Sequence, residues 1–562
     1  MNIQKSSKQL TVSAALLFII CSLLFSVSAC TDKWDDHYDA SSVDNGTLWQ
    51  AIAANPQLSN FARVAKACGY DEKLSGSQTF SVFAPTNDSF TAREADSLIS
   101  VCQQQMASHV RTNDNTVVRQ FVQNHIAPYR HPVSSLTSDT VTMMNSKYQL
   151  LTNSQLGNRR LLTTNQLYNN GLLFTIDNKL DYTPNVFEYL GHDSDLDSVY
   201  QFLNSYSVYE FNEAKSVPGE ILDGEVHYLD SVSELRNTIL DTYGSINSED
   251  STYWFVCPTN NEWNRLVAEY EKYFNYPNSV NNRDSMVYAS TRLAIIGGAF
   301  FSRTVNSDAA LRDSAVSTQA QSAQIRQLLG QEYPYYTYYK PFDNGGIFEG
   351  TEGIACSNGR VLKADDFRIS KFNTFAQTVK VEAENIQSQD TVRNALTPLS
   401  VREVTTSNPF YNQVSGNAFV EVIPNSPTAK VAAAFKIPNV LSGMGYDIYA
   451  VFVPATAYDP LAVEETTKPC IVQSTLRQMD QNGHESTRRF RKNLFTDPAR
   501  VDTLLMAEDV TFTTCSYGFS DAQVKLEIIS NVNDNQTATN SLTLRIDCLI
   551  VKPRDGGLLP KE

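Results

Sequence analysis

The chain has 562 residues, a formal net charge of −16, 42% hydrophobic and 10% aromatic residues. That apolar share supplies a folded core and excludes a disordered chain, and the acidic balance excludes a nucleic-acid binder, which needs clustered Lys and Arg. Nine cysteines are scattered without paired spacing, which argues against a disulfide framework and a zinc site, so most are expected to be buried apolar residues.

Lys5 and Lys8 precede an uncharged run from Leu10 to Val27, and Val27-Ser28-Ala29-Cys30 follows. Those parts make a secretory signal, with a plain membrane-spanning anchor as the alternative. The cysteine behind small residues resembles the lipobox of bacterial lipoproteins, which implies diacylation of Cys30. Residues 1–29 are thus expected as signal peptide and 30–45 as a lipid-anchored tether. Several acyl chains together anchor stably.

A helical pattern runs from Leu48 to Ala65. Thr79-Phe-Ser-Val-Phe-Ala-Pro-Thr-Asn-Asp-Ser-Phe90 then predicts a buried strand, stopped at Pro85, with Thr86 or Asn87 capping a helix whose first turn holds Phe90. His125 follows in Phe-Val-Gln-Asn-His-Ile and is expected as a hydrogen-bonded core histidine rather than a base or ligand. Asn170-Gly171 before Leu-Leu-Phe-Thr-Ile176-Asp177 predicts a hairpin, since both residues tolerate positive φ. The same order returns downstream. A helical pattern from Leu235 to Tyr243 precedes Thr252-Tyr-Trp-Phe-Val-Cys-Pro258-Thr259-Asn260-Asn-Glu-Trp263, and Asn358-Gly359 closes the copy. A repeat at this scale marks a duplicated unit.

The two motifs resemble those of the fasciclin domain, an opening strand ending Ala-Pro-Thr-Asn-x-x-Phe and a closing Asn-Gly strand ending Ile-Asp. Asn124 stands where the family often has tyrosine, and Phe174 where it often has histidine. The resemblance implies a β-sandwich with clustered helices at 46–184 and, more divergent, at 185–367. It also implies adhesion and recognition rather than catalysis. Cys30-Thr-Asp-Lys-Trp-Asp-Asp-His-Tyr38 resembles the start of fasciclin-type surface lipoproteins of Bacteroidota. That likeness implies an outer-membrane location facing outside, with a TonB-dependent porter and its substrate-binding lid lipoprotein as partners.

Tyr333, Tyr335, Tyr336, Tyr338 and Tyr339 form the densest aromatic cluster. In an extended segment they alternate between faces, so one set can line the core and the other meet a protein or glycan. Beyond Asp366 short alternating segments predict an all-β sandwich over 368–555, ahead of a tail at 556–562. Val381-Glu-Ala-Glu384 and Leu544-Arg-Ile-Asp-Cys-Leu-Ile-Val-Lys-Pro553 resemble the end strands of carbohydrate-binding jelly rolls. Glu382 and Glu384 are candidates for a structural calcium ion, solvated surface or glycosidase chemistry. Arg488, Arg489, Arg491 and Lys492 make a basic island, either solvated or docking.

The expected fold class is therefore α+β: two fasciclin-like domains followed by a jelly-roll sandwich. No His-Glu-x-x-His, phosphate-binding glycine loop or Gly-x-Ser-x-Gly elbow occurs, so no enzyme is expected. The expected role is an accessory binding or scaffolding lipoprotein of a glycan or peptide uptake complex. The alternatives are an adhesin for glycoproteins and a glycan hydrolase.

Overall fold

The computed structural model describes residues 45–554 apart from 214–216, 223–224, 231–232, 303–314, 319–336, 463–466 and 519–523. The segment expected as a signal peptide, and Cys30, lie outside them. Among the described residues no helix is long and apolar enough to cross a membrane. The chain divides into two compact units, Met1–Tyr182 and Thr183–Glu562.

In the first unit the single helix expected over Leu48–Ala65 is two helices, Leu48–Ala54 and Ser59–Ala67. Pro56 lacks the N–H a continuous helix needs, and Asn55 accepts from Gln57 N to start a new turn. A short helix, Tyr70–Ser75, leads to β1 (Phe80–Pro85), every residue of which is buried. The next helix, Ala92–Ala107, is capped by Thr91 and Glu94 in a reciprocal box, not by Thr86 or Asn87, and Phe90 lies just before it. After β2 (Ile126–Pro128) come β3 (Ser138–Thr142), β4 (Tyr148–Thr152), β5 (Gln155–Leu156), β6 (Arg159–Tyr168) and β7 (Gly171–Ile176). They form one sheet in the order β2-β1-β7-β6-β5-β4-β3. The central pair is parallel, Phe80 opposite Gly171 through Pro85 opposite Ile176.

The second unit opens with helices Val186–Leu190 and Asp197–Asn204. Strand β8 (Ser207–Phe211) pairs with β11 (Ser233–Asn237), and between them β9 (Val217–Leu222) pairs with β10 (Glu225–Asp230). Leu235 therefore lies in a strand. The helix expected from it starts at Thr238, where Asn237 accepts from the N–H groups of Ile239 and Leu240. Strand β12 (Tyr253–Pro258) precedes helices Asn260–Tyr270 and Arg283–Ile296, then β13 (Phe300–Ser302), β14 (Ala315–Thr318), β15 (Thr337–Tyr339), β16 (Glu352–Cys356) and β17 (Gly359–Ala364). The sheet order is β15-β14-β13-β12-β17-β16. Its centre repeats the first unit: β12 and β17 are parallel, Tyr253 opposite Gly359 through Pro258 opposite Ala364, with β13 antiparallel on one side and a hairpin partner on the other.

The last third forms two antiparallel sheets. Its strands are β18 (Val379–Glu382), β19 (Gln389–Arg393), β20 (Ser400–Glu403), β21 (Ala418–Val422), β22 (Ala432–Ile437), β23 (Gly445–Phe452), β24 (Ile471–Met479), β25 (Glu485–Phe495), β26 (Asp502–Thr511), β27 (Val524–Ser530) and β28 (Leu544–Pro553). One sheet runs β20-β21-β28-β23-β26, with β18 also on β28, and the other runs β19-β22-β27-β24-β25. Consecutive strands cross repeatedly between sheets, as in a jelly roll. This sandwich shares one apolar core with the second fasciclin-like copy, including Phe274, Phe375 and Tyr446. The join is also hydrogen-bonded: Ser442 N donates to Tyr273 O, Asn275 N to Ser442 Oγ, and Cys515 N to Asn275 O, at 2.9–3.0 Å. Copy two and the sandwich are one body.

Candidate functional site

The repeated motifs hold the fold. Asn170 and Asn358 are buried, and only the glycines after them have positive φ, +154° and +155°. Both turn residues tolerate such a φ, but only the glycine uses it, and the asparagine is there for its side chain. Asn170 Oδ1 accepts from Leu48 N at 2.8 Å, and its Nδ2 donates to Leu74 O and Gly76 O at 2.8 and 2.9 Å. Asn358 Oδ1 accepts from Val186 N at 2.9 Å and its Nδ2 donates to Ile246 O and Ser248 O, both at 2.8 Å. Asn87 and Asn260 repeat a second device. Asn87 accepts from Asn60 N and donates to Pro56 O, while Asn260 accepts from Ser198 N and donates to Ser194 O. That duty is why Asn87 caps no helix of its own. Thr86 N and Thr259 N donate to Ile176 O and Ala364 O, beyond Pro85 and Pro258. Phe90 and Trp263 are buried against Phe121 and Phe202, and Asp177 accepts from Arg160 N.

His125 is fully buried, its Nδ1 2.7 Å from Phe121 O and its Nε2 accepting from Leu180 N at 2.9 Å. The neutral ring thus carries its proton on Nδ1. The register of β2 and β13 places Ala299 at the corresponding point of copy two, so the histidine is not duplicated. Burial first, then Lys179 and Arg159 nearby, holds its pKa down to about 4 against the pull of Phe121 O. Below about pH 6.5 the unfolded chain takes a proton that the folded ring refuses until about 4. Stability of the first unit is therefore intact above 6.5 and falls by roughly 3 kcal/mol as pH drops through that window. Urea unfolding across pH 4–7 should show the slope, and His125→Gln should flatten it.

Of the tyrosine cluster, Tyr333, Tyr335 and Tyr336 lie outside the described residues. Tyr338 is half-buried, edge-on to Phe301, and accepts from Asn373 Nδ2. Tyr339 is 76% exposed. The basic island lies on the exposed strand β25, with Arg488 over the Phe490 ring.

Glu382 and Glu384 meet an acid that sequence reading missed, Asp547. Strand β18 pairs with β28 with Glu382 opposite Cys548, and Ser415 N donates to both Asp547 carboxylate oxygens at 3.1 Å. Ser415 Oγ donates to Glu382 Oε1 at 2.6 Å, and Lys380 Nζ lies 3.0 Å from the same oxygen. Oε2 of Glu382 and Oε2 of Glu384 are buried without a hydrogen-bond partner. Burial pushes the Glu384 and Asp547 carboxyls up to about 7. Donor atoms of Glu382, Asp547 and Cys548 lie within 4.8 Å of one another. Burial raises the Cys548 thiol, which leaves oxygen donors that fit a hard divalent cation such as calcium. Calcium at about a hundred times its Kd stabilises by about 2.7 kcal/mol. Millimolar calcium should therefore raise the second unit's Tm by roughly 3–4 °C, and less in Glu382→Gln. No shift in wild type would leave Lys380 as the counter-ion.

The sheet β19-β22-β27-β24-β25 turns a polar face outward. Ala433, Phe435, Leu526 and Ile528 point into the core, while Ala432 and Ala434 point away from it and are still covered. Above this small-residue floor Glu527, opposite Ala434, is held by Arg393 at 2.6 Å and Arg477 at 3.6 Å. Lys525 pairs with Asp390 at 2.7 Å beside it. Glu527 is buried, and the two arginines remain partly exposed. The result is a row of planar, charged groups joined by ion pairs across three strands. Strands β19, β24 and β25 were not anticipated, so only their pairing brings these residues together.

Comparison with known proteins covers parts of the chain. Residues 56–182 match the model of the Fasciclin domain. A FAS1 domain pair from the insect cell adhesion molecule Fasciclin I aligns at 11% identity over 59% of this chain and 99% of that one, with a TM-score of 0.18. The CBM22-1 xylan-binding domain of Paenibacillus barcinonensis Xyn10C aligns at 12% identity over 31% and 92%, with a TM-score of 0.19. The mannan-recognising module TmCBM27 aligns at 12% over 32% and 100%, with a TM-score of 0.18. Such scores say nothing by themselves about this chain's ligand. No curated protein matches the chain. Residues 56–182 are a fasciclin domain.

Proposed function

We propose that the chain is a non-catalytic surface lipoprotein, anchored through Cys30, that captures glycan on the outer sheet of its jelly roll. The observation that carries this is the Arg393–Glu527–Arg477 row over Ala432 and Ala434. Sugar hydroxyls are held by planar polar groups fixed in place beforehand, because ordering costs are then already met. In this reading the lipid anchor keeps the chain at the membrane, and the fasciclin-like units bind a porter and its lid lipoprotein. The acids Glu382 and Glu384 suit a structural ion better than hydrolysis, since their Oε2 atoms are closed to solvent.

A panel of soluble polysaccharides in affinity electrophoresis tests the reading. At least one should retard the protein, and Arg393→Ala with Arg477→Ala should reduce that affinity about tenfold or more, a loss of about 1.4 kcal/mol. Unchanged retardation in a folded double variant moves the site elsewhere. No retardation by any glycan favours the adhesin reading, for which Tyr148 and Leu150, exposed on one face of β4, are the observation.

A further inference from the structure

We propose that Cys68 and Cys102 close into a disulfide when the protein folds in an oxidising compartment. Cys68 ends the helix Ser59–Ala67, and Cys102 lies within the helix Ala92–Ala107. Their sulfurs are 3.0 Å apart in the interior of the fasciclin domain, and both residues are buried. The two helices are held side by side independently of the sulfurs. Arg63 pairs with Asp96 across them, and Asn60 Nδ2 donates to Phe90 O just before the second helix. A small rotamer adjustment brings the sulfurs to the bonded distance of about 2.05 Å.

Sequence spacing gave no hint of the pair, because it is made by helix packing across β1 and the first fasciclin motif. In closing, the two thiols lose two protons and two electrons. The electrons pass to the disulfide of a thiol–disulfide oxidoreductase or of oxidised glutathione, which leaves as two thiols. Burial and the neighbouring sulfur raise the Cys68 thiol far above its ordinary range, so the folded pair holds little thiolate. The bond therefore forms during folding, before the helices close over it. It ties the two helices across β1, and the remaining cysteines stay as thiols. The inference rests on the export reading for its oxidant and on the helix packing for its geometry.

Two preparations of the full chain separate these supports. One is reduced, unfolded and refolded in a glutathione redox buffer, and the other is isolated from cells after export. Each is denatured, treated with a maleimide, and digested without reductant. Seven cysteines are described. The expected result is that Cys68 and Cys102 escape labelling and share one linked peptide, that the other five described cysteines label, and that reduction makes Cys68 and Cys102 label too. Cys68→Ser should free Cys102 for labelling, and reduction should lower the wild-type Tm by several degrees. Labelling of both residues in a chain refolded with glutathione to the wild-type fold would overturn the pair. A link in that preparation but free thiols in the exported one would overturn the export reading and leave the pair standing.

Discussion

Gly171→Val should abolish folding of the first unit. Positive φ alone costs a β-branched residue about 1–3 kcal/mol. The structure adds a larger obstacle, because a Cβ on Gly171 would sit 2.0 Å from Phe80 O and 2.7 Å from Leu48 Cδ1. Phe80 is the residue opposite Gly171 in the parallel β1–β7 pair, so the clash is with backbone that cannot move without opening the sheet. Strain and lost pairing together should exceed about 4 kcal/mol, in the range reserved for exceptional substitutions. Gly359→Val should do the same to the second unit, since its Cβ would meet Tyr253 O at 1.8 Å. Gly350→Ala is the control. It has φ +76° and nothing within 4 Å of its Cβ, so it should cost only roughly 1–2 kcal/mol. Urea unfolding followed by circular dichroism measures all three. A Gly171→Val protein that unfolds within about 1 kcal/mol of wild type would show that the β1–β7 pair is not as close as described.

The strands legible in the sequence are those along which apolar residues recur. Ala418–Val422, Ala432–Ile437, Val524–Ser530 and Leu544–Pro553 were visible because buried apolar residues recur along them. Strand β25 escaped because it is polar and exposed along most of its length, so its identity depends on pairing with β24. Capping was misplaced at Thr86 for a related reason. Asn87 has the chemistry of a cap, and only the tertiary fold decides that it serves the helix Ser59–Ala67 instead.

Sites made by pairing were the least legible. Glu382 and Glu384 stood out because two acids interrupt an apolar strand, and Asp547 carries the same signal within Leu544–Pro553. What joins them is the antiparallel register of β18 on β28, which no local pattern encodes. The Arg393–Glu527–Arg477 row draws on three strands distant in sequence. The duplication, in contrast, was legible from Asn-Gly and Pro-Thr-Asn alone. Their glycines leave room for the facing strand, and their asparagines make side-chain hydrogen bonds that other residues cannot copy.

Asn170→Asp tests that last point and should cost about 4–6 kcal/mol at neutral pH. Asn170 gives one oxygen to Leu48 N and both amide hydrogens to Leu74 O and Gly76 O, from a site only 3% exposed. A carboxylate keeps the acceptor but presents its second oxygen to two carbonyl oxygens less than 3 Å away. Both carbonyls lose their donor, and a charge is buried without a cation. Protonation relieves the repulsion and restores one donor, so the folded state raises the pKa of the substituted carboxyl above about 3.9. Its penalty is therefore smallest below that value and grows as pH rises through the folded pKa, opposite in sign to the His125 dependence. Asn358→Asp should behave alike in the second unit, facing Ile246 O and Ser248 O. Asn170→Ala removes the same bonds without a charge and should add no pH slope of its own. Urea unfolding of variants and wild type at pH 5 and pH 7.5 isolates the difference. If Asn170→Asp loses the same stability relative to wild type at both values, the amide is not the donor that closes this turn.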